Sequence, residues 1–412
     1  MAQIGAGGAA VSAVSVVVVG AGLAGLAAAC VLAEAGEHVV LHEAAPAAGG
    51  RCRSYFDPVL NSRIDNGNHL LLSGNDAALW YLLRIGARDS LGGPAEAVFP
   101  FVDVASGERW DLRMNAGRVP WWIFAPSMRV PGTKAKDYLA LLKLRRAGAE
   151  DLVGPMIGTS VLGEKLLAPL AIAALNTMPE VASAAPLRAV VAETIERGGA
   201  ASMPRFPKVG LSESFVDPAL EWLAARGADI RLGSRVTVLD EAQKTVVAVP
   251  PWVASELLPG LVVPDEFEAI VNLHFRCRVD PGVAGFWGIL GGIAEWVFVK
   301  GEILSVTISA ANRFAGMGSD EIAARVWDEL QRVFGISGKI PPFRVLREKR
   351  ATFAATPAQL ARRPGVTTGN VNWVLAGDWT DTGLPATIEG AIRSGNKAAA
   401  GILGTACQAE GS

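Results

Sequence analysis

The sequence predicts an α/β chain built on a parallel sheet covered on both faces, and three observations carry that expectation. Val16 to Val19 are four consecutive β-branched residues with no polar alternation, the pattern of a strand buried on both sides. Gly20, Gly22 and Gly25 follow in the spacing G-x-G-x-x-G and open an alanine- and leucine-rich run of helical character. A second apolar run, HVVLHE, then ends on the acid Glu43.

Each part of this unit has a physical task. Gly20 permits the tight turn out of the strand, Gly22 lets backbone approach a pyrophosphate, and Gly25 lets the helix lie close on the strand. The helix start, with Leu23 and Ala24, offers unpaired N–H groups and the positive end of a dipole to phosphate. Glu43 lies at the distance, about 20 residues on, where a carboxylate accepts hydrogen bonds from an adenosine ribose. A lone G-x-G-x-x-G is weak evidence in a chain with 46 glycines, but strand, turn, helix, strand and acid arrive here on schedule. The expectation is a Rossmann-like nucleotide fold.

With 412 residues, two interleaved domains are expected. The formal charge is −2 with no basic block, which argues against a nucleic-acid partner. Hydrophobic residues make up 50% and charged residues 19%, which suits either a large core or an apolar tunnel with membrane contact. No charge precedes Glu34, yet there is no basic n-region and Gly20 interrupts the apolar stretch. The beginning is read as a short disordered leader to a cytoplasmic nucleotide fold. Cys30, Cys52, Cys277 and Cys407 form no C-x-x-C pair, and His38, His42, His69 and His274 have no ligand spacing. Neither a metal nor a disulfide framework is expected.

Beyond Glu43 the chain reads AAPAAGGRCRSY. Gly49, Gly50 and Arg51 stand where the two-dinucleotide-binding flavoproteins carry a Gly-Gly-Arg, with glycines for close passage and a cation for phosphate or polar flavin atoms. Next, Asp65, Asn66, Gly67, Asn68 and His69 crowd polar groups around a glycine, as backbone beside a ligand would. Near the other end, a strand over Asn372 to Ala376 runs into Gly377 and Asp378. A helix over Thr387 to Ala400 begins just after it, so Asp378 and the Thr387–Ile388 helix start form a second half-site for a ribityl hydroxyl or phosphate.

The string GGRCRSYFDPVLNSRIDNGNHLLLSGN (Gly49 to Asn75) resembles the squalene-associated FAD-dependent desaturases, the hydroxysqualene dehydroxylases of bacterial hopanoid synthesis. These form a branch of the amine-oxidase and phytoene-desaturase superfamily. Further similar strings are GRVPWWIFAPSMRVPGTKAKDYL (Gly117 to Leu139), GEKLLAPLAIAALNTMPE (Gly163 to Glu180), VVAVPPWVA (Val246 to Ala254), IVNLHFR (Ile270 to Arg276) and LAGDWTDTGLPATIEGAIRSG (Leu375 to Gly395). The resemblance implies an FAD-binding domain of the two-dinucleotide-binding type, discontinuous over 14–75, 208–253 and 370–404. It implies an inserted α+β substrate domain over 76–207 and 254–369. Its implied FAD contacts are Gly20, Gly22, Leu23, Ala24, Gly25, Glu43, Gly50, Arg51, Asn66, Gly67, Asn68, Val236, Gly377, Asp378, Thr387 and Ile388. Between an expected strand Arg235 to Asp240 and another over Val246 to Val249 lies only Glu241 to Thr245, shorter than the hairpin expected of relatives.

The implied reaction is reductive. Hydroxysqualene loses its allylic hydroxyl and accepts hydride from reduced FAD, giving squalene. A poor leaving group calls for a general acid, and Asp65, Asp103, Glu295, Asp381 and Glu389 are the candidates. Lys300, in EWVFVKGE, resembles the lysine that positions water near the flavin in amine oxidases. Aromatic faces would steady a cation, with Trp121 and Trp287 drawn from the clusters Trp121, Trp122, Phe124 and Phe286, Trp287, Trp296, Phe298. The same fold run oxidatively, as an isoprenoid desaturase or amine oxidase, and a non-catalytic isoprenoid escort like the GDP-dissociation inhibitors remain alternatives. The partner is a hydrophobic triterpene, and reversible contact with the inner face of the membrane is expected. Leu166 to Met178, limited by Pro169 and Pro179, reads as a core helix too short to span the ~20 residues a bilayer needs.

Overall fold

The computed structural model describes residues 15–405. The expected leader and Cys407 lie outside the described residues. The valine run forms the strand Val16–Val19 at the centre of a five-stranded sheet, in the spatial order Asp229–Arg231, Val39–His42, Val16–Val19, Thr245–Val247, Trp373–Leu375. Every pairing is parallel, with Val18 opposite Leu41 on one side and Val246 on the other. Alternate residues feed two separate cores. Val16, Val18, Val246 and Val374 face one, while Val247 and Leu375 face the other, which is why the strand sequence does not alternate with polar residues.

The helix Leu23–Glu34 lies in the first core with the C-terminal helix Ile388–Leu403. Alanine-rich, it forms readily and leaves little side-chain bulk. The C-terminal helix therefore approaches so closely that a Cβ on Gly395 would strike the Ala24 carbonyl.

A second, seven-stranded sheet has the order Phe343–Phe353, Phe267–Arg276, Ile303–Ile308, Trp296–Lys300, Phe286–Leu290, Ala97–Asp103, Arg109–Met114. Its pairings are antiparallel except between Phe286–Leu290 and Ala97–Asp103. The helix Ser319–Phe334 covers one face. Its Ile322, Val326, Leu330 and Val333 recur at helical spacing against Val271, Leu273, Val297, Leu304 and Val306. The intervening residues Asn272, His274, Ser305 and Thr307 point to the opposite face, which meets the loop beginning at Asn66.

Two sequence expectations change. The run Arg235 to Asp240 is not a strand but a loop, with Val238 82% exposed. The edge of the parallel sheet is already taken by Asp229–Arg231, and no described strand pairs with the run, so its Val/Thr alternation buries nothing. The segment Leu166 to Met178 contains the helix Ala168–Leu175, which ends on left-handed Asn176 (φ 48°) rather than at Pro179. Leu166, Leu167, Ala171 and Leu175 lie in the second core. Among the described residues no helix is long and apolar enough to cross a membrane.

Candidate functional site

At the N-terminal half-site, Gly20 adopts φ +105° as it leaves the strand, and Gly22 begins the helix with no side-chain cap. The first-turn amides of Leu23, Ala24 and Gly25 thus lie outside the intrahelical ladder. A Cβ on Gly22 would meet nothing within 4 Å, whereas one on Gly25 would strike the Gly20 carbonyl. Gly25 is small for packing; Gly22 is small because open space lies above it. Gly50 (φ +56°) closes this space from the other side, its Cβ direction ending 3.5 Å from the Gly22 Cα. The Glu43 carboxylate is fixed by the amides of Ala21 and Ala45, both at 2.8 Å. Val236 is half-buried, two residues past Ser234, whose amide donates to the Glu43 carbonyl at 2.7 Å. Open space, free amides and a ribose-height carboxylate fit an adenosine diphosphate.

At the C-terminal half-site the Gly377 amide donates to Ser394 Oγ at 2.8 Å, holding Asp378 at the strand end. Arg51 Nη2 lies 2.7 Å from both Asp378 carboxylate oxygens, and Arg51 Nη1 donates to the Ala351 carbonyl. The Arg51 and Asp378 side chains are 44% and 8% exposed. Thr387 caps the C-terminal helix by accepting from the Gly390 amide at 3.0 Å. Ile388 is its first residue, so its amide also lies outside the helical ladder.

The loop 66–69 joins these half-sites to the large sheet. Asn272 Nδ2 donates to the Asn66 carbonyl at 3.2 Å, and Asn68 Nδ2 donates to Thr307 Oγ1 at 3.1 Å. Thr307 in turn donates to Asn272 Oδ1 at 2.8 Å. Gly67 lies against Asn272, whose Nδ2 would be 3.1 Å from a Cβ there. The Asn66 carbonyl and the Asn68 side-chain amide therefore position the loop, while buried Asn68 Oδ1 has no protein partner.

Below the loop, Lys300 Nζ lies 2.5 Å from Asp65 Oδ2. Asp65 Oδ1 accepts from Ser54 Oγ at 2.6 Å and from the Leu211 amide at 2.8 Å. Burial alone pushes this carboxyl up, but Lys300 and the two hydrogen bonds outweigh it and hold it below the usual range. Asp65 is thus a carboxylate at neutral pH and no proton donor. His69 sits within the field of Asp65, Lys300, Arg51 and Asp378, and burial drives its pKa down to about 4, leaving it neutral.

The sheet face beyond Lys300 is aromatic. Phe286 stacks on Phe298 with ring centroids 5.9 Å apart, and Trp296, Phe206 and Phe99 approach Phe286 at 6.1, 6.1 and 6.2 Å. Past Trp296 lies a cavity of about 320 Å³ bordered by Phe101, Ile172, Met178, Glu295 and Arg313.

These half-sites match two known families: the NAD(P)-binding Rossmann-like domain over residues 18–85 and the flavin containing amine oxidoreductases over residues 286–403. The hydroxysqualene dehydroxylase of Rhodopseudomonas palustris is 47% identical over 94% of this chain and 97% of its own length. That of Sinorhizobium fredii is 45% identical over 93% of this chain and 96% of its own. The chain belongs to the hydroxysqualene dehydroxylase family. It is an FAD-dependent oxidoreductase. The fold is similar to cyclohexylamine oxidase from Brevibacterium oxydans, with TM-score 0.69, 17% identity, and coverage of 94% of this chain and 98% of that one.

Within this family member, both tryptophans singled out from sequence lie away from the aromatic wall. Trp287 pairs across the sheet with Val297 and stacks edge-on against Phe334 at 5.1 Å, on the face covered by the helix Ser319–Phe334. Strand alternation presents its neighbour Phe286 instead. Trp121 is 53% exposed on a short 3-10 turn, and Trp122 is the one turned inward. The acid candidates also separate. Asp103 caps a surface loop through the Ala105 and Ser106 amides, Asp381 is exposed, and Glu389 accepts from the Ala77 and Ala78 amides at the start of another helix. Glu295 borders the cavity and burial raises its pKa despite Arg313, yet it stands five residues, roughly 16 Å along an extended chain, from Lys300. Sequence reasoning placed His69 beside the ligand without giving it a role, and missed Phe206 and Phe99. His69 gave a local signal, standing beside the polar run Asp65 to Asn68, whereas the two phenylalanines gave none.

Proposed function

We propose that this chain reduces hydroxysqualene to squalene. What carries the reading is near-full-length similarity to the two hydroxysqualene dehydroxylases, together with a cofactor cradle built from both chain ends. The FAD unit comprises 14–75, 208–253 and 370–404, and the substrate unit 76–207 and 254–369.

Gly20, Gly22, Leu23, Ala24 and Gly25 hold the pyrophosphate, Glu43 the ribose, and Val236 borders the adenosine end. Gly50, Arg51, Gly377, Asp378, Thr387 and Ile388 hold the ribityl–phosphate portion, while Asn66, Gly67 and Asn68 place backbone beside the ring. Bound in its reduced form, FAD supplies the hydride. Lys300, fixed in place by Asp65, donates a proton to the departing hydroxyl, so the carbon–oxygen bond breaks with water as the leaving group. The faces of Phe286, Trp296 and Phe298 lower the energy of positive charge developing on the allylic carbon, and their apolar surroundings exclude water. A triterpene partner dissolves in lipid, so the enzyme works from the cytoplasm at the inner face of the membrane.

The test is anaerobic. Photoreduced protein is mixed with hydroxysqualene, phytoene or simple amines, and products are extracted while flavin absorbance is followed. Hydroxysqualene alone is expected to reoxidise the flavin, with squalene formed in matching amount. Reduced flavin that persists with hydroxysqualene would sink this reading and bring the desaturase alternative forward.

A further inference from the structure

The stretch from Gly117 to Arg146 departs from the rest of the surface in two ways at once. It carries Arg118, Arg129, Lys134, Lys136, Lys143, Arg145 and Arg146 against the single acid Asp137, a local balance of +6 (seven minus one) in a chain of net −2. It also exposes Val119, Trp121, Phe124, Leu139 and Leu142, each about half or more open to solvent.

Local structure explains why greasy side chains point outward. Residues Trp121–Phe124 form a 3-10 turn, in which positions three apart share an edge, so Trp121 and Phe124 project together. Trp122 anchors the turn inward, edge-on against buried Tyr138 at 5.1 Å. Tyr138 leads directly into the helix Leu139–Leu144, where Leu139, Leu142 and Lys143 lie on one side at i, i+3 and i+4 and face solvent, while Leu144 is buried. Among the described residues, Arg118, Lys134, Lys136, Lys143 and Arg146 make no ion pair, whereas Arg145 is held by Glu196 at 2.7 Å and Arg129 donates inward to the Ile123 carbonyl at 2.9 Å.

We propose that this face seats the enzyme on an anionic lipid bilayer, with Trp121, Phe124, Leu139 and Leu142 entering the headgroup–acyl boundary and the five unpaired cations meeting lipid phosphates. Aromatic and leucine side chains ringed by lysine and arginine are the chemistry of interfacial attachment, and each cation near such a surface contributes about fivefold in affinity. A second copy docking through the same face would oppose cation to cation. Beneath it, Trp122, Tyr138 and Leu144 share a core with Phe101 and Trp296, two borders of the cavity. The proposal rests on the dehydroxylase reading only in that a triterpene comes from lipid.

The experiment is cosedimentation of the FAD-loaded protein with equimolar phosphatidylglycerol–phosphatidylcholine vesicles and with pure phosphatidylcholine vesicles, at low and high salt. Wild type is expected to bind the anionic vesicles, to release in high salt, and to bind neutral vesicles at least tenfold more weakly. Val119→Ser/Phe124→Ser and Lys134→Glu/Lys136→Glu/Lys143→Glu are each expected to lose at least tenfold while keeping their flavin. Should one variant fail to fold, the other decides. Failure of wild type to bind anionic vesicles, undiminished binding by the folded variants, or a dimer that Val119→Ser/Phe124→Ser abolishes overturns the proposal. Turnover in detergent micelles separates the two readings. Both variants are expected to match wild type there, and a wild type inactive in micelles counts against the dehydroxylase reading while leaving the vesicle result standing.

Discussion

Arg51 and Asp378, 327 positions apart, meet with Nη2 of the arginine 2.7 Å from each carboxylate oxygen. The Gly-Gly-Arg loop follows the first parallel pair of strands and the Gly-Asp turn ends the last, so one charged contact joins the two half-sites. The cation expected on the flavin side and the acid expected at the ribityl chain thus form one ion pair. Asp378→Asn keeps the shape but leaves the half-exposed Arg51 guanidinium without its charge partner. It is expected to weaken FAD binding by ~1–3 kcal/mol, about 5- to 150-fold. Titration of deflavinated protein with FAD measures this, and an unchanged dissociation constant would remove Asp378 from the cofactor site.

The glycines of the first turn are expected to behave differently from one another. Gly22→Val fills open space above the helix start, so the protein should fold and purify without FAD. Gly25→Val drives a side chain into the Gly20 carbonyl and should compromise folding itself. Glu43→Ala should weaken FAD binding by ~1–3 kcal/mol. Circular dichroism together with flavin content separates the outcomes; a Gly22→Val protein with full flavin content would refute the pyrophosphate assignment.

The half-sites were legible because their determinants are local: a glycine spacing, an acid at a fixed remove, a Gly-Asp before a capped helix. Parity on a buried strand is not local. In FWGIL both Phe286 and Trp287 are apolar aromatics and both faces of the strand are covered, so nothing in the string tells which ring meets the site. Cross-strand pairing of Trp287 with Val297 decides it. Likewise Arg235 to Asp240 alternates like a strand, but a strand needs a neighbour and the described sheet offers none. The outward position of Trp121 was illegible for another reason, since composition cannot tell a tunnel lining from an exposed apolar surface.

Lys300 and Asp65 allow chemistry to be separated from stability. Lys300→Met alone strands a buried carboxylate, with a cost of ~3–5 kcal/mol, and should abolish turnover. Lys300→Met/Asp65→Asn removes both charges and should recover most of the stability and flavin content but not the turnover. If the double variant reduces hydroxysqualene at the wild-type rate, Lys300 is not the proton donor.

Acid sensitivity should trace in part to His274. Burial lowers its pKa to about 4, and its Nδ1 lies 2.8 Å from Ser305 Oγ. Between pH 6.5 and 4 the unfolded chain binds a proton at this histidine that the folded chain refuses, so stability falls as pH falls through that window, by about 3 kcal/mol in all. His69 acts in the same direction, discounted for its partial exposure. Glu295 and Glu389, whose pKa values burial raises, act in the opposite direction, their contribution declining as pH rises from about 4.5. His274→Asn is therefore expected to flatten the pH dependence of the urea midpoint relative to wild type. Parallel profiles would show that His274 takes up its proton without unfolding.

The aromatic wall gives the most discriminating kinetic prediction. If positive charge develops as the carbon–oxygen bond breaks, an aromatic face lowers the transition state more than the bound substrate, and its loss appears in rate rather than affinity. Trp296→Leu and Phe298→Leu retain bulk and apolarity while deleting the ring quadrupole. Each is expected to slow single-turnover flavin reoxidation by hydroxysqualene by about 2- to 30-fold, corresponding to ~0.5–2 kcal/mol, with a smaller change in substrate affinity. Trp287→Leu, on the far face against Phe334, and Trp121→Leu, on the outer surface, serve as controls and should reoxidise in micelles near the wild-type rate. Slowing by Trp287→Leu alone would mean that the rate follows packing of the sheet on its helix. Slowing by Trp296→Leu and Phe298→Leu with an equal loss of affinity would mean that the wall only binds the hydrocarbon. A rate defect confined to the inward-facing rings is the outcome that ties catalysis to their faces.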